Sequence, residues 1–282
     1  MLSLSKHASQ TVAEAIRVAA ERLVATSDTA RLDAELLMAH ALGVTRSELL
    51  LRHLRDPAPA EFAALVARRA AHEPVAYIAG SQEFHGRMFH VSPAVLIPRG
   101  DSETTVAAAL DACPNPRRVL DCGVGSGALL LTILAERPGA VGVGIDRSYD
   151  AIDIAANNAL SLRVSCDFYP RDWNQPGWAD DLGKFDLIIA NPPYVEDTAQ
   201  LDPTVHDYEP HGALYSGPEG LEDYRALIPQ LPALLEPDGV VVLEIGHAQA
   251  DAVSAIAAAS GFSAELRRDL AGRPRALILR LD

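Results

Sequence analysis

Cysteine is scarce, with three residues in 282. Cys113, Cys122 and Cys166 form no C-x-x-C pair and have no histidine cluster at zinc spacing, so neither a disulfide framework nor a structural zinc site is expected. They read as small buried thiols in a reducing compartment. Long apolar runs are also missing, and none approaches a membrane span. The first residues carry Lys6, Glu14, Arg17 and Glu21, without the unbroken apolar core of a signal peptide. A cytoplasmic protein is the expectation. Positive charge is in deficit, with 24 Lys and Arg against 38 Asp and Glu, a formal net charge of -14. Affinity for nucleic acid comes largely from neutralising phosphates, so this balance weighs against DNA or RNA as the substrate. It suits a soluble chain with a basic partner. Long repeats and low-complexity tracts are absent.

The length predicts about two domains. Apolar residues recur at helical spacing over Val12, Ala15, Ile16, Ala19 and Leu23, and again over Leu32, Leu36, Leu37 and Leu42. Ser27-Asp28-Thr29 supplies capping residues for the second run and Gly43 ends it. A further amphipathic stretch covers Ala60–His72, completing a small helical bundle. Glu83–Pro98 reads as a β-hairpin turning near Gly86 and bridging two domains. From about Arg117 strands alternate with helices. Strands are predicted at Arg118–Cys122, Val141–Ile145, Arg163–Phe168, Phe185–Ala190, Val240–Ile245, Ser263–Leu266 and Ala276–Leu281. Helices are predicted at Leu129–Glu136, Tyr149–Leu160, Tyr224–Leu235 and Gln249–Ser260. That alternation predicts a doubly wound α/β sheet.

The first chemical signal is VLDCGVGSGALLL. A strand ends at Asp121, and Gly123, Gly125 and Gly127 follow before a helix. Glycine is required where backbone turns tightly and approaches a ligand closely. About 20 residues on, VGVGID ends a second strand in Asp146, where a carboxylate can accept hydrogen bonds from ribose hydroxyls. Gly123, Gly125 and Ala128 also satisfy the permissive nicotinamide fingerprint. S-adenosylmethionine is favoured because Asp121 precedes the loop, where it can assist a methionine end, because Gly127 comes one position early, and because a second motif follows a later strand.

That motif is FDLIIANPPYVED, a strand running into Asn191-Pro192-Pro193-Tyr194. An amide nitrogen is a poor nucleophile because its lone pair is delocalised. An enzyme alkylating it must hold the NH2 group in line with the methyl donor and stabilise positive charge developing on nitrogen. The Asn191 side-chain oxygen and the Pro192 carbonyl can each accept one substrate N–H. The prolines stiffen the loop and remove competing donors. Tyr194 can lie against the flat face of the substrate group. Asn-Pro also occurs as a plain turn, but its place after a buried strand, downstream of the glycine loop, favours a site.

Several further segments carry a resemblance. They are Pro74–Ile78, Gly80 with Glu83-Phe84, Val95–Arg99, Ser102–Thr104, Asp172-Trp173, Asp207–Pro210, Gly220-Leu221, Leu243–Gly246 and Arg268–Arg273. With the glycine loop and Asn191–Tyr194, they make the chain similar over its whole length to the bacterial peptide-chain release factor glutamine N5-methyltransferases. The resemblance implies a Rossmann-like, seven-stranded class I methyltransferase sheet at 111–282. It also implies an N-terminal helical substrate-recognition domain at 1–80 and a linking β-hairpin at 81–110. The cofactor implied is S-adenosylmethionine, held by Asp121, Gly123, Val124, Gly125, Ser126, Gly127, Asp146, Trp173 and Asn191. The partner implied is a class 1 release factor, whose Gly-Gly-Gln glutamine would be bound by Asn191, Pro192, Pro193 and Tyr194. Catalysis would rest on Asn191, Pro192 and Tyr194, with no metal. Three positions depart from the family's usual pattern, and Cys122 stands where a leucine is usual. Gly100 replaces a usual proline and should loosen the linker. Val124 replaces a usual threonine and lacks its hydroxyl. The alternatives weighed are an adenine-N6 methyltransferase acting on a flipped base, a glutamine methyltransferase acting on a ribosomal protein, and a cofactor-binding interaction protein without turnover.

Overall fold

A computed structural model describes residues 10–282, so the part of the leader reading that rests on Lys6 lies outside it. Two compact units divide the chain. One runs through Gly80 and includes Asp202–Tyr208; the other comprises Ser81–Leu201 and Glu209–Asp282. No helix among the described residues is long and apolar enough to cross a membrane.

The first unit is helical. Helix α1 (Val12–Leu23) starts in a reciprocal capping box between Thr11 and Glu14, and buries Val12, Ala15, Ile16, Ala19 and Leu23 on one face. Helix α2 (Ala30–Leu42) ends at Gly43, whose φ of 65° is the left-handed conformation that glycine adopts without strain. Ser27 and Thr29 do not cap α2 as expected. Their hydroxyls donate to the buried Asp33 carboxylate at 2.8 and 2.9 Å, and Arg69 reaches the same group at 2.7 Å. A buried charge must be paired, and that demand outranks the cap. A one-turn α3 (Arg46–Glu48), α4 (Phe62–Ala70) and an unanticipated α5 (Val75–Ala79) complete the bundle. Leu37, Met38, Leu49, Phe62 and Val66 are buried within it.

In the second unit, β1 (Ser81–Phe84) and β2 (Arg87–His90) form a hairpin turning at Gly86, where φ is 73°. Pairing stops at His90 rather than continuing to Pro98. Pro93 and Pro98 have no N–H to give a ladder, and the Ile97 N–H is taken by the Glu209 carboxylate at 3.1 Å. Gly100 opens a short 3-10 turn leading into α6 (Glu103–Ala112), which the sequence reading missed. Nothing lies within 4 Å of a Cβ at Gly100, so nothing sterically demands glycine there.

The chain then lays down β3 (Arg118–Cys122), α7 (Ala128–Glu136), β4 (Val141–Asp146), α8 (Tyr149–Leu162), β5 (Cys166–Pro170) and β6 (Phe185–Ala190). After β6 it contributes Asp202–Tyr208, with the short α9 (Pro203–His206), to the first unit. It continues with α10 (Glu222–Leu227), β7 (Leu235–Glu244), α11 (Ala250–Ala259), β8 (Phe262–Arg268) and β9 (Pro274–Leu281). The seven-stranded sheet has the order β5-β4-β3-β6-β7-β9-β8. The first five strands are parallel, and β9 runs antiparallel to both β7 and β8. This is a Rossmann-like mixed sheet.

Two predicted elements shift for local reasons. Strand β5 starts at Cys166 rather than Arg163, because Arg163 closes α8 at φ 57°. The helix expected over Tyr224–Leu235 is α-helical only to Leu227. Pro229 and Pro232 lack the N–H an α-helix needs, and Ile228–Leu234 winds as a 3-10 helix. Of the three thiols, Cys122 is buried while Cys113 and Cys166 are only partly so, which corrects the reading of all three as buried.

Candidate active site

From β3 the chain moves to β4 and β5 on one side, while β6 and β7 lie on the other. Ligands of open α/β sheets bind where strand order reverses, beyond the carboxyl ends. The register levels those ends. Cys122 pairs with Ile145 on one side and Ala190 on the other, and Ala190 pairs with Leu243. Paired strands lie about 4.8 Å apart, so Gly123, Asp146, Asn191 and Glu244 emerge side by side. The glycine turn and the asparagine corner are thus neighbours.

Gly123, Gly125 and Gly127 have φ of 82°, 52° and 83°. The amides of Gly123 and Val124 donate to the Ile145 carbonyl at 2.9 and 2.8 Å, anchoring the turn on β4. A Cβ on Gly123 would lie 3.4 Å from the Trp173 ring, so the indole covers the turn. Val124 is buried, and its Cγ2 would come within 2.9 Å of a Cβ on Gly144. Its methyls fill the space that Gly144 leaves open, which accounts for an apolar residue at this position. Ser126 is also buried, and its carbonyl accepts the Asn158 amide at 2.8 Å. Asn158 also exchanges two hydrogen bonds with the His90 backbone, at 2.7 and 3.0 Å. This fully buried asparagine ties the hairpin to the glycine turn. Sequence reasoning missed it, although a polar residue on the inward face of a helix is a readable signal.

The two carboxylates differ. Asp146 accepts the Gly125 amide through Oδ2 at 3.0 Å and the Ser148 amide through Oδ1 at 2.9 Å. Burial raises its pKa against the pull of those amides. Asp121 is 1% exposed, and its Oδ1 has no hydrogen-bond partner among the described residues. Burial first, and the Asp146 charge second, push it up to about 8.

One cavity is lined by Asp121, Gly123, Val124, Gly125, Ser126, Asp146, Trp173, Asn191 and Pro193. Gly127, Pro192 and Tyr194, also predicted, adjoin these lining residues in the chain. Pro192 and Pro193 are buried and Asn191 is half-buried. The Asn191 side chain makes no hydrogen bond among the described residues. Tyr194 does not line the cavity. Its ring packs at Gly246, where a Cβ would meet Cδ2 at 3.4 Å. Burial, and then the Glu244 charge, push the phenol up to about 12.

Glu209, within the Asp207–Pro210 segment, has a role that the sequence does not reveal. Its side chain is completely buried, and it accepts from the Arg99 guanidinium and the Ile97 amide. It thereby joins the two cavity-wall segments that contain Leu96–Arg99 and Pro210–Ala213.

The residues present fit S-adenosylmethionine. A buried carboxylate oxygen without a donor suits a cationic methionine end. Asp146 keeps acceptor capacity beyond its two amides for ribose hydroxyls. The fold and these strand ends define an S-adenosylmethionine-dependent class I methyltransferase. Its architecture matches a solved methyltransferase from Pyrococcus furiosus at a TM-score of 0.52, with 16% identity, over 76% of this chain and 96% of that one. Residues 101–208 match the family described as the methyltransferase small domain, and 14–80 the one described as the PrmC N-terminal domain. A release factor glutamine methyltransferase from Cereibacter sphaeroides is 42% identical, over 95% of this chain and 98% of its own length. One from Geobacter sulfurreducens is 40% identical, over 83% and 84%. The chain belongs to the release factor glutamine methyltransferase family.

Proposed function

We propose that the protein methylates the side-chain amide nitrogen, N5, of the glutamine in the Gly-Gly-Gln loop of class 1 peptide-chain release factors. The observation that carries this is the unengaged Asn191 side chain, on the cavity wall one residue beyond the Ala190–Cys122 pair. Asp121, Gly123–Gly127, Asp146, Trp173 and Asn191 would hold the cofactor. When bound, S-adenosylmethionine supplies an electrophilic methyl group.

The chain's own residues do the rest. The Asn191 oxygen and the Pro192 carbonyl accept the two amide N–H groups, which orients the nitrogen and stabilises its developing positive charge. No strong base is needed beforehand, because the amide nitrogen becomes acidic as it alkylates. Tyr194 supports the corner. The helical first unit recognises the protein substrate, and the net charge of -14 favours a basic protein over a nucleic acid. Free thiols at Cys113, Cys122 and Cys166 accord with a cytoplasmic site of action.

The test is methyl-labelled cofactor with purified release factor, ribosomal protein and nucleic acid in parallel. Label on the Gly-Gly-Gln glutamine is expected. Label confined to another acceptor, or none despite measurable cofactor binding, overturns the proposal.

A further inference from the structure

The Gln249 side chain, just before α11, engages both its donors and its oxygen on three loops of the second unit. Its Oε1 accepts the Gly246 amide at 3.1 Å. Its Nε2 donates to the Tyr194 carbonyl and to the Gly220 carbonyl, each at 3.0 Å. Two glycines make room for it. A Cβ on Gly220 would lie 2.3 Å from the Tyr194 oxygen and 2.9 Å from Gln249 Nε2, and one on Gly246 would lie 2.7 Å from Gln249 Oε1. The segments Gly220-Leu221 and Leu243–Gly246, which the cofactor and acceptor roles leave unexplained, thus converge on one amide.

That amide sits at the far end of the asparagine corner. The near end is fixed by the pairing of Ala190 with Cys122. Between the ends, two prolines remove most backbone freedom. The far end is held by the Tyr194 and Val195 amides, which donate to the Leu214 carbonyl at 3.1 and 2.8 Å, and by Gln249. A stiff segment clamped at both ends transmits the position of its clamps to the atoms between them.

We infer that Gln249 is a positioning residue for methyl transfer, acting through the Tyr194 carbonyl to place the Asn191 and Pro192 acceptors. The inference rests on the proposed amide chemistry. Misplacing reacting groups by about 1 Å costs on the order of 10²-fold in rate.

The test uses the full-length chain with Gln249→Met, which keeps the volume without the polar atoms, and Gln249→Glu, which keeps the acceptor for Gly246 but loses both donors. In both, kcat on release factor is expected to fall on the order of 10²-fold. Dissociation constants for S-adenosylmethionine and KM for release factor should stay within about threefold. Hydrogen exchange at the Tyr194 and Val195 amides should accelerate in cofactor-free protein. A kcat near wild type, a matching loss of cofactor affinity, or unchanged exchange each overturns the inference. If wild-type protein does not methylate release factor, the functional proposal has failed, and the exchange measurement alone decides whether the clasp exists.

Discussion

Oδ2 of Asp146 accepts the amide of Gly125 at 3.0 Å, so the carboxylate that ends β4 also shapes the turn that follows β3. One side chain therefore serves the cavity twice, as an acceptor facing it and as a brace for its floor. Hydrogen bonds to a charged group are worth about 1.5–3 kcal/mol, roughly 10- to 100-fold in affinity. Asp146→Ala should weaken S-adenosylmethionine binding by that factor, read by calorimetry, with kcat at saturating cofactor little changed. A turnover defect with normal binding would contradict the assignment.

Asp121 makes binding depend on pH. Its pKa in the folded protein is about 8, against 3.8 ordinarily, owing to burial and then to Asp146. Between those values the folded chain holds a proton that the unfolded chain has released. The stability of cofactor-free protein therefore falls as pH rises through this window and levels off above it. A cationic ligand favours the ionised form, so S-adenosylmethionine should bind more tightly as pH rises towards 8 and release protons on binding below it. Asp121→Asn should abolish that slope, weaken binding above pH 8 and raise Tm there. Calorimetry in buffers of different ionisation enthalpy counts the protons; a flat affinity across the window sinks the idea.

The Trp173 indole over Gly123 is tethered by its N–H to Asp223 Oδ1 at 3.2 Å, and Asp223 is itself held by the Ser216 hydroxyl at 2.7 Å. Trp173→Ala removes the cover of the turn and should cost more cofactor affinity than Asp223→Ala. The latter deletes a tether to a carboxylate, worth about 1.5–3 kcal/mol. Asp223→Ala should also change the tryptophan emission of cofactor-free protein. Equal affinity losses, or unchanged emission, would show that the tether does not set the indole's position.

Asn191 is expected to separate activity from stability. Its side chain makes no hydrogen bond among the described residues, so Asn191→Ala should leave Tm unchanged. If its oxygen stabilises the transition state like other preorganised groups, at about 3–4 kcal/mol, kcat should fall roughly 10²- to 10³-fold. Retained activity would remove it from the mechanism; a lowered Tm would show a structural role.

Much of the architecture was legible because it is local. Strand and helix periodicity located all seven strands of the large sheet, and the glycine spacing marked the turn where φ is positive. The misses were of two kinds. Helix α6 is built largely from alanine and threonine, which carry little periodic contrast, so its buried Val106, Ala108 and Ala109 did not stand out. The roles of Asn158 and Glu209, and the two bonds that Gln249 donates, depend on partners between 29 and 112 residues distant in the chain. Nothing in their immediate neighbours announces those partners.

Chain chemistry alone dictated that a carboxylate should follow one strand, glycines another and Asn-Pro-Pro-Tyr a third, because these depend on a few adjacent residues. Which strands lie together is a different matter. The apolar run of β6 would pair equally well with many neighbours, and only the packing of helices on both faces selects β3 and β7. That selection set Asn191 beside Gly123 and swung Tyr194 back against Gly246. Lateral pairing is won by total burial across the sheet, a quantity that no short stretch of chain contains.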